Sequence, residues 1–325
     1  MRAIVIARPG GPDVLELRNV PEPEVPDNSI LVSVEATALN RADLMQRRGL
    51  YPAPAGSPQD IPGLEYAGTV AAVGEKVTRW RPGDRVMGLV GGGACAEYIV
   101  THEAEAMPIP AALSSEQAAA VPEAFLTAHD ALFTLVDLQP NQHVLIHAVA
   151  SGVGTAAAQL ARAQGAVVYG TSRSPDKLAR VGQYGVTHAI AATDDWAAEV
   201  LRLSDGAGVH GIVDLVGGDY LRGNVQVLAS RGRLALVGLL AGRSAELDLN
   251  AVLRKRLHII GTVMRARPLD EKIEVVRRFM EHGYAWLANG TVAPVIDRVM
   301  PMTDAAAAHA FMETNANTGK IVLRW

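Results

Sequence analysis

Short apolar runs alternate with stretches of helix length from residue 122 to about residue 265. This alternation is typical of βαβ units, in which parallel strands form one sheet and helices cover its faces. Runs that are apolar throughout suit strands buried on both faces. We predict six strands, with helices between the first five, at residues 143–148, 166–170, 188–192, 211–216, 233–238 and 258–262. The pattern therefore predicts an α/β domain at 122–265 with a Rossmann-type, doubly wound parallel sheet.

The first 121 residues have a different texture. Pro and Gly interrupt short runs with strand-like alternation, such as residues 15–18 and 31–34, which predicts a mostly β domain at 1–121. Beyond residue 265, a charged helix at 269–282 leads to a second helix and to an apolar strand at 320–324. We expect this last stretch, 266–325, to return to the first domain and complete it.

The composition is that of a folded protein, with 49% hydrophobic and 20% charged residues. Lys and Arg number 30 against 34 Asp and Glu, a formal charge of −4, so no nucleic acid or membrane partner is expected. The uncharged stretch 138–161 contains Pro140, Asn141 and Gln142, which favour a buried strand, turn and helix over a membrane span.

Cys95 is the only cysteine, which excludes an intramolecular disulfide and a tetrathiolate zinc site. This cysteine usage is typical of a reducing, intracellular setting. The residues at the N-terminus do not have the pattern of a signal peptide. We therefore expect a cytoplasmic protein.

A glycine-containing turn follows the first predicted strand of the α/β domain. Ser151, Gly152, Val153 and Gly154 lead into an alanine-rich helix. Small residues let the backbone approach a pyrophosphate, and a helix N-terminus offers N–H groups and partial positive charge. Only the third glycine of the G-x-G-x-x-G pattern is in place, as Gly154, so the turn alone also fits a ligand-free connection. Within six strands, it predicts a dinucleotide site.

The end of the second predicted strand indicates which dinucleotide binds. Enzymes that use NAD place an acid there for the ribose hydroxyls, but Ser172 and Arg173 occupy this position and Asp176 falls in the next helix. Together with Lys177 they offer one hydroxyl and two cations to a 2′-phosphate, which predicts NADP(H). The alternative is that both cations are solvated surface charges.

With these motifs, the chain resembles the medium-chain dehydrogenase/reductase superfamily, and within it the zinc-free quinone oxidoreductases related to zeta-crystallin. The resemblance covers essentially the whole chain. It is carried by residues 38–51 (ALNRADLMQRRGLY), 61–68 (IPGLEYAG), 151–154 (SGVG) and 317–323 (NTGKIVL). The first string and Ser151 are most similar to a branch induced in animals by a tumour-suppressor transcription factor.

The resemblance implies a GroES-like catalytic domain built from both ends of the chain, a Rossmann domain that holds NADPH, and an active site in the cleft between them. Asn40 and Tyr51 match positions that border the nicotinamide and the substrate. The implied cofactor-binding residues are Asn40, Thr127, Ser151, Gly152, Val153, Gly154, Lys177, Val216, Gly217, Gly238 and Leu239. Ala192 departs from the family, because many relatives have a tyrosine there near the 2′-phosphate, so Ser172, Arg173 and Lys177 must supply more of the selectivity.

The expected chemistry is hydride transfer without a metal ion. Asn40 stands at an early ligand position of the zinc enzymes, and no cluster of metal ligands accompanies Cys95. A quinone suits this chemistry, because its conjugated carbonyls spread the arriving charge. We predict an NADPH:quinone oxidoreductase, in which Tyr51 donates a hydrogen bond to the developing oxyanion and Asn40 orients the ring or the nicotinamide ribose. Other readings are a barrel-surface aromatic for Tyr51 and a turn-capping amide for Asn40.

Two other functions stay open. The same hydride geometry serves α,β-unsaturated aldehydes and ketones, and some zeta-crystallin relatives are abundant structural or RNA-binding proteins, although the net charge argues against RNA. We also expect a homodimer that pairs through the last Rossmann strand, residues 257–263. The physiological acceptor, one- or two-electron reduction, and the roles of Asp43 and Glu65 are left open by the sequence.

Overall fold

The computed structural model describes residues 1–193 and 195–325. The chain divides into two compact units. Unit 1 comprises residues 1–126, 264–288 and 294–325, and unit 2 comprises residues 127–263 and 289–293. Unit 1 is therefore assembled from separated stretches of chain, whereas almost all of unit 2 is continuous.

Strands dominate the N-terminal part of unit 1. They are β1 (Arg2–Ile6), β2 (Leu15–Asn19), β3 (Ser29–Ala38), β4 (Glu65–Val73), β5 (Arg85–Leu89), β6 (Tyr98–His102) and β7 (Ala106–Pro108). The α-helices of this part are α1 (Arg41–Arg47) and α2 (Ser115–Ala119). Helix α3 (Pro122–His129) begins in this part, and its residues from Thr127 onward belong to unit 2, where it continues as a π-helical turn, Asp130–Leu135.

Strands and helices alternate through unit 2. They are β8 (His143–Ile146), α4 (Gly152–Ala163), β9 (Val167–Ser172), α5 (Pro175–Val181), β10 (His188–Ala191), α6 (Trp196–Leu203), β11 (Val209–Asp214), α7 (Tyr220–Val227), β12 (Leu228–Leu236), α8 (Leu249–Lys255) and β13 (His258–Gly261). All neighbours pair in parallel in the order β10-β9-β8-β11-β12-β13. This is the doubly wound order, which confirms the predicted Rossmann sheet, and α8 is an addition that the pattern did not predict.

The C-terminal part of unit 1 contains α9 (Leu269–His282), α10 (Tyr284–Ala288), β14 (Ile296–Pro301), α11 (Ala305–Glu313) and β15 (Lys320–Arg324). The larger sheet of unit 1 runs in the order β14-β15-β3-β4-β5-β7, and β6 also pairs with β3. Within it, β15 is antiparallel to β3, with Val322 opposite Ala38. The mostly β character of unit 1 confirms the second part of the predicted fold class, and the register brings β15 beside the start of α1.

Each unit has its own apolar core. One core of unit 1 includes Ile30, Val32 and Tyr66, and the core of unit 2 includes Leu145 and Ile212, all at most 2% exposed. Fully burying a side chain of this size contributes about 1.5–3 kcal/mol, so each core offsets much of the entropy lost on folding. Of the helices in the described residues, none combines the length and apolar character needed to cross a bilayer.

Candidate functional site

The chain turns sharply after β8 and enters α4. Ala148 has a φ of +48°, and Ser151 caps the helix by accepting a hydrogen bond from the N–H of Gly154 at 3.1 Å. A Cβ on Gly154 would lie 2.5 Å from the carbonyl oxygen of Ala148, so this position needs glycine. In the first helical turn, the N–H groups of Gly152 and Val153 have no intrahelical acceptor, which suits a pyrophosphate.

Three polar residues lie where β9 passes into α5. Ser172 is buried, and its hydroxyl accepts a hydrogen bond from the N–H of Ser174 at 3.3 Å. Ser174 caps α5 by accepting from the N–H of Lys177 at 3.4 Å, and Arg173 is exposed between the two serines. Ser172, Arg173 and Lys177 therefore lie in one turn between β9 and the first turn of α5.

The loops that follow β11 and β12 meet. The N–H groups of Val216 and Gly217 donate to Oδ1 of Asp214 at 2.8 and 2.9 Å. Gly217 has a φ of +66°, and a Cβ there would lie 2.8 Å from the carbonyl oxygen of Gly238 and 3.2 Å from Cα of Leu239. Four of the cofactor-binding residues that the resemblance implies thus lie together: Val216, Gly217, Gly238 and Leu239.

A buried polar network supports these strand ends. His147 bonds Oγ1 of Thr171 through Nδ1 at 2.8 Å and Oδ1 of Asn224 through Nε2 at 2.7 Å. Asn224 in turn donates to Oδ2 of Asp214 at 2.9 Å. Burial lowers the pKa of His147, which favours its neutral form. The network ties the carboxyl ends of β8, β9 and β11 together, at the edge where doubly wound sheets bind their ligands.

Thr127 is a buried residue of unit 2 whose hydroxyl could bond a nicotinamide. It lies on α3 and is 6% exposed, and its hydroxyl has no hydrogen-bond partner within residues 1–193 and 195–325. Leaving a buried hydroxyl unbonded costs about 1–3 kcal/mol. A ligand bond at this position would remove the cost, so the residue fits its assigned place beside the cofactor.

Five buried or nearly buried groups form what we name the polar centre of unit 1: Asn40, Asp43, Glu65, Glu123 and Lys320. The ammonium group of Lys320 donates to Oδ1 of Asn40 and contacts Oε1 of Glu65, both at 2.6 Å. Asn40 donates from Nδ2 to Oε1 of Glu65 at 2.9 Å and to the carbonyl oxygen of Ala38 at 3.1 Å. Both N–H groups of the Asn40 side-chain amide therefore already donate hydrogen bonds. The side chain can take part in a further hydrogen bond only as an acceptor, through its oxygen.

The carboxylate of Asp43 accepts hydrogen bonds from two backbone N–H groups. Its Oδ2 accepts from the N–H of Asn40 at 2.8 Å, and its Oδ1 accepts from the N–H of Gly63 at 2.9 Å. Burial raises the pKa of Asp43 to about 6, although the two N–H groups favour its charged form. Asp43 thus fixes the start of α1 against the turn before β4.

Tyr51 lies against a buried arginine. Arg265 is 3% exposed, and its guanidinium carbon lies 5.3 Å from the centre of the Tyr51 ring. The guanidinium donates to the carbonyl oxygens of Gly91 at 2.7 Å and Tyr51 at 3.2 Å, and to Oε1 of Gln46 at 2.5 Å. Burial raises the pKa of Tyr51, so its hydroxyl stays protonated and can donate a hydrogen bond. This arrangement fixes the ring while leaving Tyr51 half-buried.

Three residues of unit 1 were not predicted from the sequence. Arg265 and Lys320 contact residues more than 170 positions away, so no local pattern indicates their roles. The sequence does contain one indication of the third residue, Glu123, because it is the only charged residue in the apolar stretch 118–128. Burial, with a further contribution from the Glu65 carboxylate, raises the pKa of Glu123 to about 7.

The polar centre does not suit a zinc ion. No three His, Cys, Asp or Glu side chains could hold a metal together anywhere in the part of the chain that the structure describes. Asn40 and Glu65 offer oxygens, but the ammonium group of Lys320 already lies 2.6 Å from both. The ammonium group would repel a second cation at that place.

Known proteins resemble the chain along almost its full length. Residues 26–111 match the alcohol dehydrogenase GroES-like domain, and residues 152–282 match the zinc-binding dehydrogenase family. A quinone oxidoreductase of Pseudomonas aeruginosa is 33% identical, with 99% of each chain covered. The synaptic vesicle membrane protein VAT-1 homolog of Rattus norvegicus is 34% identical, over 99% of this chain and 84% of its own.

Solved structures extend the comparison. A mycobacterial protein complexed with NADPH has a TM-score of 0.89 at 27% identity, with 100% of both chains covered. The enoyl reductase CurK has a TM-score of 0.86 at 27% identity, covering 99% of this chain and 98% of its own.

Proposed function

Because the chain belongs to the medium-chain dehydrogenase/reductase superfamily, with its GroES-like and zinc-binding dehydrogenase domains, we propose that it reduces quinones by hydride transfer from NADPH without a metal ion. The observation that carries the proposal is the ammonium group of Lys320, bonded to Asn40 and Glu65 in the polar centre. This polar centre suits a hydride acceptor whose carbonyl group does not need a metal ion to polarise it. A quinone meets this condition, and the quinone oxidoreductase of Pseudomonas aeruginosa supports the choice.

The cofactor supplies a hydride when it is bound. In our proposal, Ser151, Gly152, Val153 and Gly154 bind its pyrophosphate at the start of α4. The 2′-phosphate is held by Ser172, Arg173 and Lys177 at the end of β9, and the mycobacterial relative complexed with NADPH supports this selectivity.

The nicotinamide end is proposed to contact Thr127 and the residues after β11 and β12, namely Val216, Gly217, Gly238 and Leu239. Asn40 would accept a hydrogen bond from a ribose hydroxyl, because its amide N–H groups already bond Ala38 and Glu65. Asn40 is predicted to orient the substrate ring or the nicotinamide ribose, and in our proposal it does so as a hydrogen-bond acceptor.

Tyr51 is proposed to act on the acceptor. Its hydroxyl stays protonated and would donate a hydrogen bond to the oxygen on which charge develops. The guanidinium of Arg265 over the ring holds Tyr51 in place and opposes the effect of burial on its pKa.

A second candidate function is the reduction of α,β-unsaturated aldehydes or ketones, which the likeness to the enoyl reductase CurK supports. A third is a crystallin-like protein that binds NADPH without catalysis, or that binds RNA. The formal charge of −4 disfavours the RNA-binding form.

The test is NADPH consumption with matched panels of naphthoquinones and enones, with and without EDTA. Turnover of the quinones that survives chelation is the expected result. Turnover of enones alone would establish the second function. Binding of NADPH without turnover of either class would favour the third, and activity restored only by zinc would contradict the metal-free chemistry.

We further propose that the protein is a homodimer that pairs through β13. This strand ends the sheet of unit 2, and β12 is its one neighbour in the sheet order of the described residues. Ile259 on β13 is 37% exposed, and Leu249 and Leu253 on the preceding helix are 71% and 74% exposed. An unpaired apolar edge of this kind is normally covered, and a second copy of the same edge covers it symmetrically.

A further inference from the structure

Glu123 is a buried acid whose carboxyl group has no assigned task. It lies in the first turn of α3, and its backbone N–H donates to Oε2 of Glu65 at 2.8 Å. Its own Oε2 is buried and has no hydrogen-bond partner among the residues that the structure describes. A carboxyl oxygen left in this state either bonds a ligand or carries a proton.

The charged groups around Glu123 do not neutralise it. They come from several packed elements: Glu65 on β4, Asp43 on α1, Lys320 on β15, and Arg265 and Tyr51 in loops. The ammonium group of Lys320 is held between Asn40 and Glu65, and the guanidinium of Arg265 bonds Gly91, Tyr51 and Gln46. Both cations are thus committed to other partners, while two carboxylates oppose further negative charge.

The consequence is a carboxyl group that holds a proton near neutral pH. Burial is the largest cause, and together with Glu65 it raises the pKa of Glu123 to about 7. A group with this pKa is present in both protonation states at neutrality, which is the condition for efficient proton donation.

We propose that Glu123 donates the proton that the acceptor takes up on its oxygen after hydride transfer. The inference rests on the proposed function. Conversion of a quinone to a hydroquinone takes up one hydride and one proton. The hydride comes from reduced nicotinamide, the Glu123 O–H bond breaks as the new O–H bond forms on the acceptor, and the resulting carboxylate is reprotonated from water.

Two neighbouring groups suit this role less well. Burial holds the pKa of Tyr51 above its ordinary value of 10, so its hydroxyl donates a hydrogen bond but gives up its proton reluctantly. Both carboxyl oxygens of Asp43 accept backbone N–H bonds, which stabilise its charged form and leave it tied to Asn40 and Gly63. Glu123 alone among these groups combines a buried unbonded oxygen with a pKa of about 7.

The experiment is a pH profile of kcat for NADPH and 1,4-naphthoquinone, from pH 5.5 to 9, in the wild type and in Glu123→Gln. Gln matches the neutral acid in size but has no acidic proton. We expect kcat of the wild type to fall above about pH 7, and kcat of the variant to be at least about tenfold lower at pH 6 and insensitive to pH. The Kd of NADPH, measured by fluorescence, should stay within about twofold, and Glu123→Asp should recover a pH-dependent rate.

Glu116→Gln, at an acid on α2 outside the polar centre, is the matched control and should keep the profile of the wild type. If Glu123→Gln also keeps that profile, the inference is overturned while the proposed function stands. If the wild type reduces neither quinones nor enones, both fail. Infrared spectra test the inference without turnover. The band of a protonated carboxyl group that is present in the wild type and absent in Glu123→Gln belongs to Glu123, and it should titrate near pH 7. A carboxylate already ionised at pH 6 would also overturn the inference.

Discussion

The ammonium group of Lys320 lies 2.6 Å from the side-chain oxygen of Asn40, although the two residues are 280 positions apart. The same ammonium group contacts Glu65 at 2.6 Å, and the side chains of Lys320 and Glu65 are 5% and 0% exposed. A strand near the C-terminus therefore fixes an amide at the start of α1. Buried ion pairs contribute little net stability, but removing one partner leaves an uncompensated charge.

Lys320→Met should therefore lower the free energy of unfolding by about 3–5 kcal/mol, because it leaves the Glu65 carboxylate buried without its cation. The double variant Lys320→Met with Glu65→Gln should lose less. Urea denaturation of both variants, followed by tryptophan fluorescence, measures the difference. Equal losses would show that the charge of Glu65 is already neutralised by another group.

Tyr51→Phe should lower kcat/KM for quinones and leave the affinity for NADPH nearly unchanged. Loss of one hydrogen bond to developing charge costs about 1–3 kcal/mol, which is roughly a 5- to 150-fold decrease. The variant keeps the aromatic ring and its contact with Arg265, so we expect it to fold like the wild type. An unaltered kcat/KM would assign Tyr51 to packing.

Replacing Arg173 and Lys177 together by alanine should weaken NADPH binding by about two to four powers of ten. Each charge-assisted bond contributes about 1.5–3 kcal/mol, and 1.4 kcal/mol is a tenfold change. NADH, which lacks the 2′-phosphate, should bind almost as before. Calorimetry with both cofactors is the measurement, and Arg180→Ala, an exposed cation on the same helix, is the control. Equal loss of both cofactors, or a wild type that prefers NADH, would contradict the NADP(H) assignment.

His309 should make unit 1 sensitive to acid. Burial lowers its pKa to about 3, and the Arg47 guanidinium beside its Nδ1 adds to the effect. Between pH 6.5 and 3 the unfolded chain binds a proton that the folded chain does not. Stability is therefore lost as the pH falls through this range, by about 2 kcal/mol at pH 5.

Urea unfolding midpoints between pH 8 and 4.5 check this sign. His309→Asn, whose amide oxygen can still accept from Arg47, should flatten the pH dependence. His210→Asn, at an exposed histidine away from β13, should not change it. Midpoints of the wild type that rise as the pH falls would contradict the prediction.

Leu253→Glu should convert the proposed dimer into a monomer, because it places a charge on the exposed apolar face of α8, the helix that precedes β13. Sedimentation equilibrium at micromolar concentration should show a dimer for the wild type and a smaller species for the variant. Leu17→Glu, at an exposed leucine of unit 1, is the control. A wild type that sediments only as a monomer would rule out this interface.

The sequence predicted the elements whose periodicity is local. The six strands of unit 2 and the helix Leu269–His282 lie where their patterns placed them. Helix α8 was missed because it is only seven residues long, although Leu249, Val252 and Leu253 have the i, i+3, i+4 spacing of a helical stripe.

The polar centre was only partly predictable. Asn40 and Tyr51 were identified by resemblance, but the bonds of the Asn40 amide depend on Lys320, which pairing of β15 with β3 brings near. No local pattern in the sequence predicts that β15 pairs with β3. Glu123 was not predicted, although it is the only charged residue in the stretch 118–128, and its raised pKa depends on burial and on Glu65 rather than on any local pattern.

The position of β15 between β14 and β3 also dictates an order of events during synthesis. The stretch 127–263 leaves the ribosome as one continuous segment and can fold while translation continues. The end of β3 that pairs with β15, residues 36–38, emerges nearly 300 residues before that partner, and at about 5–20 residues per second it waits unpaired for tens of seconds, whereas β6 pairs with residues 29–33 of β3. Through this interval the nascent chain exposes the kind of strand edge to which chaperones and neighbouring chains bind, so slow translation of residues 264–325 would prolong an aggregation-prone stage of folding.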